Sequence, residues 1–426
     1  MKNKKIQVLV VPSDRTGVGA YRSINPHLAL ENNYSDEFMV HIDYEPQIHN
    51  DEWLKQYDII HYHRTLGPYE MMEATNNRLK ALGIISIMDL DDYWAPGTHH
   101  PAYLLIKNAE LDKKIMSNLK TAENITTTTS IFASEISKLN KNVFVLPNAI
   151  NPTEAQFTPK LEPSNGRVRI GWLGGSSHLK DLEILNGVVS KLRGDGLLDK
   201  VQFVLCGFDL RGTHTDIDSV TKKQTVRNIQ PKESVWYQYE RIFTDDYKSI
   251  SPEYKDFLLK FKQEEYSNIA NEPYRRVWTK NISTYASNYN LFDISLAPLE
   301  PNIFNKVKSQ LKVIEAGFHN KAIIAQDFGP YQIDLTNIIK FGGGFDLTAN
   351  SILIETNKNH KDWYLSIKKL ILNPEIVSLL QENLSSTIKP LYSINKVTED
   401  RRDLYIKLYE QQQIKNNQFQ LTNENN

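Results

Sequence analysis

Cysteine is almost absent: the 426-residue chain has one, Cys206. A single thiol builds neither an internal disulfide framework nor a cysteine-based zinc site. Cys206 reads as a small buried hydrophobe in a strand. A dominant charge is also missing. Lys and Arg total 50 and Asp and Glu total 51, a formal net charge of −1. That balance excludes a globally basic nucleic-acid binder but leaves room for a local basic patch. Long apolar runs are missing too. No stretch approaches the ~18 apolar residues of a membrane-crossing helix. The run Ile6–Val11 follows a basic start but is stopped by Pro12-Ser13-Asp14-Arg15, so no signal-peptide core is expected. Repeats of about 20–50 residues are lacking. These absences predict a soluble, cytoplasmic protein, and the Asn/Lys/Ile-rich composition fits a bacterial or phage-infected cell.

What is present is an alternation of short apolar runs with amphipathic stretches. Ile6–Val11, Asp58–His63, Ile84–Met88, Asn124–Thr128 and Val143–Leu146 read as strands. Tyr21–Leu30, Leu105–Leu119 and Ser130–Leu139 read as the helices between them. That rhythm means a doubly wound parallel sheet. Pro152, Pro159, Pro163 and Gly166 mark a linker, after which the rhythm restarts. Val168–Leu173, Val201–Leu205, Asp293–Ala297 and Ala322–Ala325 are its strands, with helices over Leu182–Leu192 and Val307–Gly317. The domain reading is therefore an α/β unit over 1–155, a linker over 156–166 and a second α/β unit over 167–385. A possible insertion occupies 210–280, a final amphipathic helix 386–412 and a polar, frayed tail 413–426.

Ligands of such sheets bind at the carboxyl ends of the strands, so the chemistry is sought there. After the first strand comes Gly17-Val-Gly19, where glycine lets backbone approach a ligand and the next helix offers free N–H groups to a phosphate. Arg22 replaces the third glycine of a dinucleotide fingerprint, and there is no Walker lysine. A plain strand-to-helix turn is the competing reading. His61 and His63 fall on one face of the next strand. His63, nearer the strand end, is the candidate for contact with a substrate hydroxyl, and His61 reads as a core histidine. No third group with metal-ligand spacing accompanies them. The Asp89–Asp92 run, with Asp91 and Asp92 as site candidates, either holds hydroxyls or caps a turn.

The second unit opens with Gly174-Gly175-Ser176-Ser177-His178 between a strand and a helix, a second anion cradle, with Lys180 close by. In the helix expected over 307–317, Lys308, Lys312 and Glu315 fall at i, i+4 and i+7 and share a face. Lys308 and Ser309 suit a diphosphate, and Glu315 suits ribose hydroxyls. A merely solvated Lys–Lys–Glu face remains the alternative.

These segments, in this order, resemble a GT-B glycosyltransferase of the retaining family-4 (group 1) type. Gly17-Val-Gly19, Asp58-Ile-Ile-His-Tyr-His63, Thr126–Leu139, Val145-Leu-Pro-Asn-Ala-Ile150, Gly171–His178 and Ala297–Gly317 carry the likeness. The resemblance implies two Rossmann-like domains facing a central cleft, with a C-terminal helix crossing back to the first. It implies transfer of a sugar from a nucleotide-diphospho-sugar to an acceptor hydroxyl, with retention and with neither an essential metal nor a further cofactor. Glu315 matches the second of the family's paired glutamates. Val307 stands where the first would be, and Lys308 and Ser309 are expected near the diphosphate instead. Glycan, lipid-linked glycan, protein and modified DNA base are the acceptor classes in view. An inactive nucleotide-binding scaffold and a nucleotide-sugar epimerase are the alternatives.

Overall fold

The computed structural model describes residues 4–424 except 161, 162, 165, 210–212, 219, 222, 230–232, 245–272, 341 and 343. The chain forms two compact units, Met1–Pro152 with Asn302–Ile314 and Lys389–Asn426, and Thr153–Pro301 with Glu315–Ile388. They are termed unit 1 and unit 2.

Unit 1 is built on six strands: β1 (Ile6–Val11), β2 (Phe38–Ile42), β3 (Ile59–His63), β4 (Ile85–Leu90), β5 (Asn124–Thr127) and β6 (Val143–Val145). All pairs are parallel, in the order β2-β1-β3-β4-β5-β6. Apolar residues fill the central strands because both faces are covered. The two-residue side-chain period sorts them into two cores. Val8, Val10, Ile59, Ile85 and Ile87 pack with Leu30, Tyr405 and Leu408. Leu9, Val11, Ile60, Tyr62, Met88 and Leu90 pack with Leu79, Leu119 and Phe132.

Unit 2 repeats the plan. Its strands are β7 (Val168–Leu173), β8 (Val201–Phe208), a separate antiparallel hairpin β9 (Thr213–Ile217) and β10 (Gln224–Asn228), then β11 (Tyr274–Trp278), β12 (Ile294–Ala297), β13 (Ala322–Asp327) and β14 (Ile352–Glu355). The main sheet is parallel, in the order β11-β8-β7-β12-β13-β14. Trp172, Phe203, Leu205, Ile294, Ile324, Trp363 and Ile367 belong to its core. Much of the 210–280 stretch lies outside the described residues. The described part holds the hairpin, the helix Val235–Thr244 and β11.

Four expectations need correction. The edge strands β2, β11 and β14 were not anticipated: their burial alternates instead of forming apolar runs. Asp89 lies within β4, not after it. The segment read as one helix over 307–317 is two, Ile303–Lys306 and Leu311–Phe318. Asn302 caps the first by accepting from Asn305 N at 2.9 Å. Three tertiary ties then pull 307–310 off the helical path. Val307 is buried in the unit 1 core. Ser309 Oγ meets Asn148 Nδ2 at 3.1 Å. Gln310 donates to Tyr392 Oη at 2.8 Å. The tail read as frayed is helical through Glu424, as part of Ile394–Glu424. That helix belongs to unit 1, where His27 pairs with Tyr405 Oη at 2.7 Å and Arg402 meets Glu37 at 2.8 Å.

Candidate functional site

The strand order of unit 1 reverses at β1, which lies between β2 and β3. Such a reversal leaves a crevice at the carboxyl ends of the strands, because the flanking connections depart to opposite faces. A cavity of about 460 Å³ lies there, lined by Val11–Asp14 after β1, His63–Gly67 after β3, and Tyr44 and Tyr69 among others.

His63 ends β3 and is 5 % exposed. Its Nε2 lies 2.9 Å from Asp91 Oδ1. Burial alone would raise the Asp91 carboxyl, but His63 and Arg64 outweigh it and hold Asp91 well below the usual carboxylate range. With Asp91 ionised, Nε2 carries the proton and donates it, and Nδ1 is buried without a partner. Asp92, next in the chain, is treated oppositely. Burial and the neighbouring Asp91 charge push it up to about 6, against the pull of Arg64 and Lys308. The two adjacent carboxyls therefore differ in charge near pH 6, a separation typical of functional sites.

Arg64 was not proposed from sequence. Its backbone is left-handed, with φ 60°, a conformation that costs a non-glycine residue about 1–3 kcal/mol. The fold enforces it: Arg64 N donates to Asp89 O at 3.0 Å, and Arg64 O accepts from Asn118 Nδ2 at 3.3 Å. Arg64 Nη2 reaches Asp91 Oδ1 at 3.3 Å. No sequence signal marks an arginine for positive φ.

Below this layer lies a buried ion pair. Arg22, 1 % exposed, grips Asp89 with Nε and Nη2 at 3.0 and 2.7 Å. Its Nη1 donates to Leu146 O and Asn148 Oδ1, and Thr126 Oγ1 donates to Asp89 at 2.7 Å. The residue that breaks the glycine fingerprint thus ties β4, and through Asp89 β5, to the segment after β6. His61 is buried beside them. Burial, then Arg401 and Arg22, hold its ring well below the usual histidine range, so it is neutral.

The glycine loop has a different use from the one expected. Gly19 N donates to Asp14 Oδ1, and a Cβ on Gly19 would sit 1.9 Å from Asp14 O. Gly19 is therefore required for the close packing of this turn on itself, and its N–H is spent within the chain. Gly17 opens the same helical turn, which continues as a π-helical stretch over Gly19–Ile24.

Lys308 and Ser309 also lie in unit 1. Lys308 Nζ stands 5.0 Å from the Phe304 ring centroid, and its charge acts on Asp92 and His100. It does not share a helix face with Lys312 and Glu315, as the two-helix path dictates.

In unit 2 the strand order reverses at β7. Gly174, Gly175 and Ser176 follow it, with Gly175 and Ser176 exposed. Tyr239 Oη fastens the loop by accepting from His178 N at 2.9 Å and donating to Gly175 O at 3.2 Å. His178 Nδ1 pairs with Asp181 Oδ2 at 2.7 Å, and Asp181 Oδ1 accepts from Glu300 N at 2.8 Å. The loops after β7 and β12 are thereby joined at the switch point. Gly207 of β8, φ 99°, passes so close that a Cβ would lie 2.5 Å from Gly174 O. Lys180 pairs with Glu183 at 2.7 Å. Glu315, 4 % exposed, accepts from Tyr285 Oη and from Tyr289 Oη, the latter at 2.9 Å. Lys312 lies half-buried in the same helix. Neither tyrosine was anticipated, because their short 3₁₀ helix, Tyr285–Leu291, has no periodic signature.

No family model matches the chain, and no curated protein matches it in sequence. Solved structures do match. One is Anabaena HepE in complex with UDP-glucose, with TM-score 0.58 and 10 % identity over 95 % of this chain and 99 % of that one. Sucrose-phosphate synthase from Thermosynechococcus elongatus matches with TM-score 0.58 and 12 % identity over 96 % of this chain and 100 % of that one. A glycosyltransferase from Rickettsia africae matches with TM-score 0.57 and 12 % identity over 96 % and 99 %. At such identities the likeness is one of fold: the chain has the GT-B fold, with two parallel six-stranded α/β sheets, that these glycosyltransferases share.

Proposed function

We propose that the chain is a glycosyltransferase that moves a sugar from a nucleotide-diphospho-sugar to an acceptor hydroxyl. The observation that carries this is the likeness of fold, over 95 % of the chain, to a structure holding UDP-glucose. Each sheet also gathers polar groups at its switch point, where ligands of such sheets bind. The donor nucleotide is assigned to unit 2 and the acceptor to the cavity of unit 1.

The energetic task is to stabilise a departing diphosphate and an oxocarbenium-like sugar. Backbone N–H groups of Gly174, Gly175 and Ser176, with His178, supply donors to the phosphates. Glu315, oriented by Tyr285 and Tyr289, takes the ribose. Loss of one such preorganised donor costs roughly 10²–10³ in turnover. In unit 1, Lys308 sets its charge beside Asp92. His63 and the Asp91–Asp92 pair position the acceptor. In the retaining course proposed, the bond from the anomeric carbon to the phosphate oxygen breaks and the bond to the acceptor oxygen forms on the same face. The acceptor proton goes to the leaving phosphate oxygen. No essential metal and no further cofactor belong to this proposal. Glycan, lipid-linked glycan, protein or modified DNA base carries the acceptor hydroxyl.

A second reading, a nucleotide-binding scaffold without turnover, is favoured by Val307, which is 1 % exposed in the unit 1 core and offers no polar group. One experiment separates the two. The protein is incubated with a panel of nucleotide sugars and free nucleoside diphosphate is measured. Transfer predicts release from one donor, reduced at least about 10²-fold by Glu315→Ala and by Lys308→Ala. Nucleotide binding without release from any donor, across a panel of acceptors, supports the scaffold.

A further inference from the structure

The cavity of unit 1 has an uneven set of polar groups. The carboxylate in its lining, Asp14, is engaged on both oxygens. Asp14 Oδ1 receives Thr16 N, Thr16 Oγ1 and Gly19 N, and Asp14 Oδ2 receives Ser13 Oγ. Asp91 Oδ1 receives His63 and Arg64. The cavity's donors are not engaged to the same degree. Arg64 carries five N–H groups, of which Nη2 meets Asp91 and Nε is buried with no partner. A second guanidinium, Arg15, stands 4.4 Å above the ring of Tyr44 in the cavity wall. Tyr44, Tyr69 and Pro12 supply flat apolar surface for a ring.

An oxyanion brings acceptors only, and a guanidinium fork binds it with two parallel hydrogen bonds. The backbone points the same way. Arg64 holds a left-handed φ that glycine adopts without cost, so the strained arginine is kept for what its side chain meets.

We propose that this cavity takes an acceptor sugar bearing an anionic group, a phosphate or a carboxylate, and that Arg64 selects it. This rests on the assignment of the acceptor to unit 1. Arg64 is a specificity residue, outside the bond-making step.

The test is calorimetric titration of the full-length protein with glucose 6-phosphate, glucuronate and glucose, and separately with UDP. Wild type is expected to bind one of the two anionic sugars at least tenfold more tightly than glucose, and the phosphate and carboxylate arms tell which. Arg64→Gly is expected to abolish that preference while retaining the affinity for UDP, which shows that the variant is folded. Arg64→Lys, which keeps the charge and loses the fork, is expected to retain only part of the preference. Equal binding of glucose, failure of both anionic sugars to bind, or a preference that survives in Arg64→Gly overturns the proposal. Intact UDP binding with no anion preference rejects this inference and leaves the transferase standing. Anion-selective binding without UDP binding does the reverse.

Discussion

Unit 1 and unit 2 use one strand plan and put different chemistry at the same place in it. In both, the order reverses at the first strand of the sheet, β1 or β7. At β1 the crevice is lined by His63 and Arg64, both bonded to Asp91, with a strained backbone and a buried ion pair beneath. At β7 it holds small residues whose loop is fastened by the neutral hydroxyl of Tyr239 and by Asp181. The fold therefore determines where a ligand sits, and the side chains after each strand determine which ligand. A charged and strained crevice suits discrimination among acceptors. A loop of exposed backbone suits the repeated oxygens of a diphosphate.

The contrast breaks most visibly at Arg22. Arg22→Ala leaves Asp89 buried and uncompensated, and the loss is expected to be about 3–5 kcal/mol, read as a lower urea midpoint. A change within 1 kcal/mol, roughly an ordinary neutral hydrogen bond, would mean that the pair does not organise unit 1.

Asp92 gives a smaller effect that depends on pH. The folded chain holds its proton up to about 6, whereas the unfolded carboxyl releases near the ordinary 3.8. The folded state thus binds more protons between those values, and the stability this group contributes is full below pH 3.8 and declines as pH rises to 6. Asp92→Asn is expected to exceed wild type at pH 7 by up to about 3 kcal/mol. The difference should vanish near pH 4 in a series of melting curves. A constant offset across pH would place the Asp92 carboxyl in the ordinary range.

Tyr239→Phe tests unit 2. It removes one hydroxyl that serves two backbone groups, at an expected cost of about 1 kcal/mol. Nucleoside diphosphate affinity should fall severalfold by calorimetry, and sugar binding in unit 1 should be unchanged. The smallest effect belongs to Lys180→Ala. Its partner Glu183 is half-buried at the surface, so the urea midpoint should hardly move. A drop in nucleotide affinity would add Lys180 to the donor loop.

The sheets were largely legible because buried parallel strands are written as apolar runs: Ile6–Val11 and Val168–Leu173 were read to the residue. β2, β11 and β14 were missed because an edge strand buries alternate residues only. The break between Ile303–Lys306 and Leu311–Phe318 was hidden because its cause is remote, Asn148 and Tyr392 being 161 and 82 residues away in sequence. The site followed the same division. His63 and Asp91 were singled out from their places at strand ends, and the folded chain brings them within 2.9 Å. Arg64 was passed over because its φ is imposed by Asp89 and Asn118. Tyr239, Tyr285 and Tyr289 act through hydroxyls whose partners only the folded chain brings within reach.

The division of labour between the sheets is tested most directly by amide hydrogen exchange with and without UDP. Slowed exchange at 174–178 and 299–300 of unit 2, with 13–19 and 64–67 of unit 1 unchanged, is the predicted result. Slowing confined to the unit 1 loops would contradict it and move the nucleotide to the other sheet.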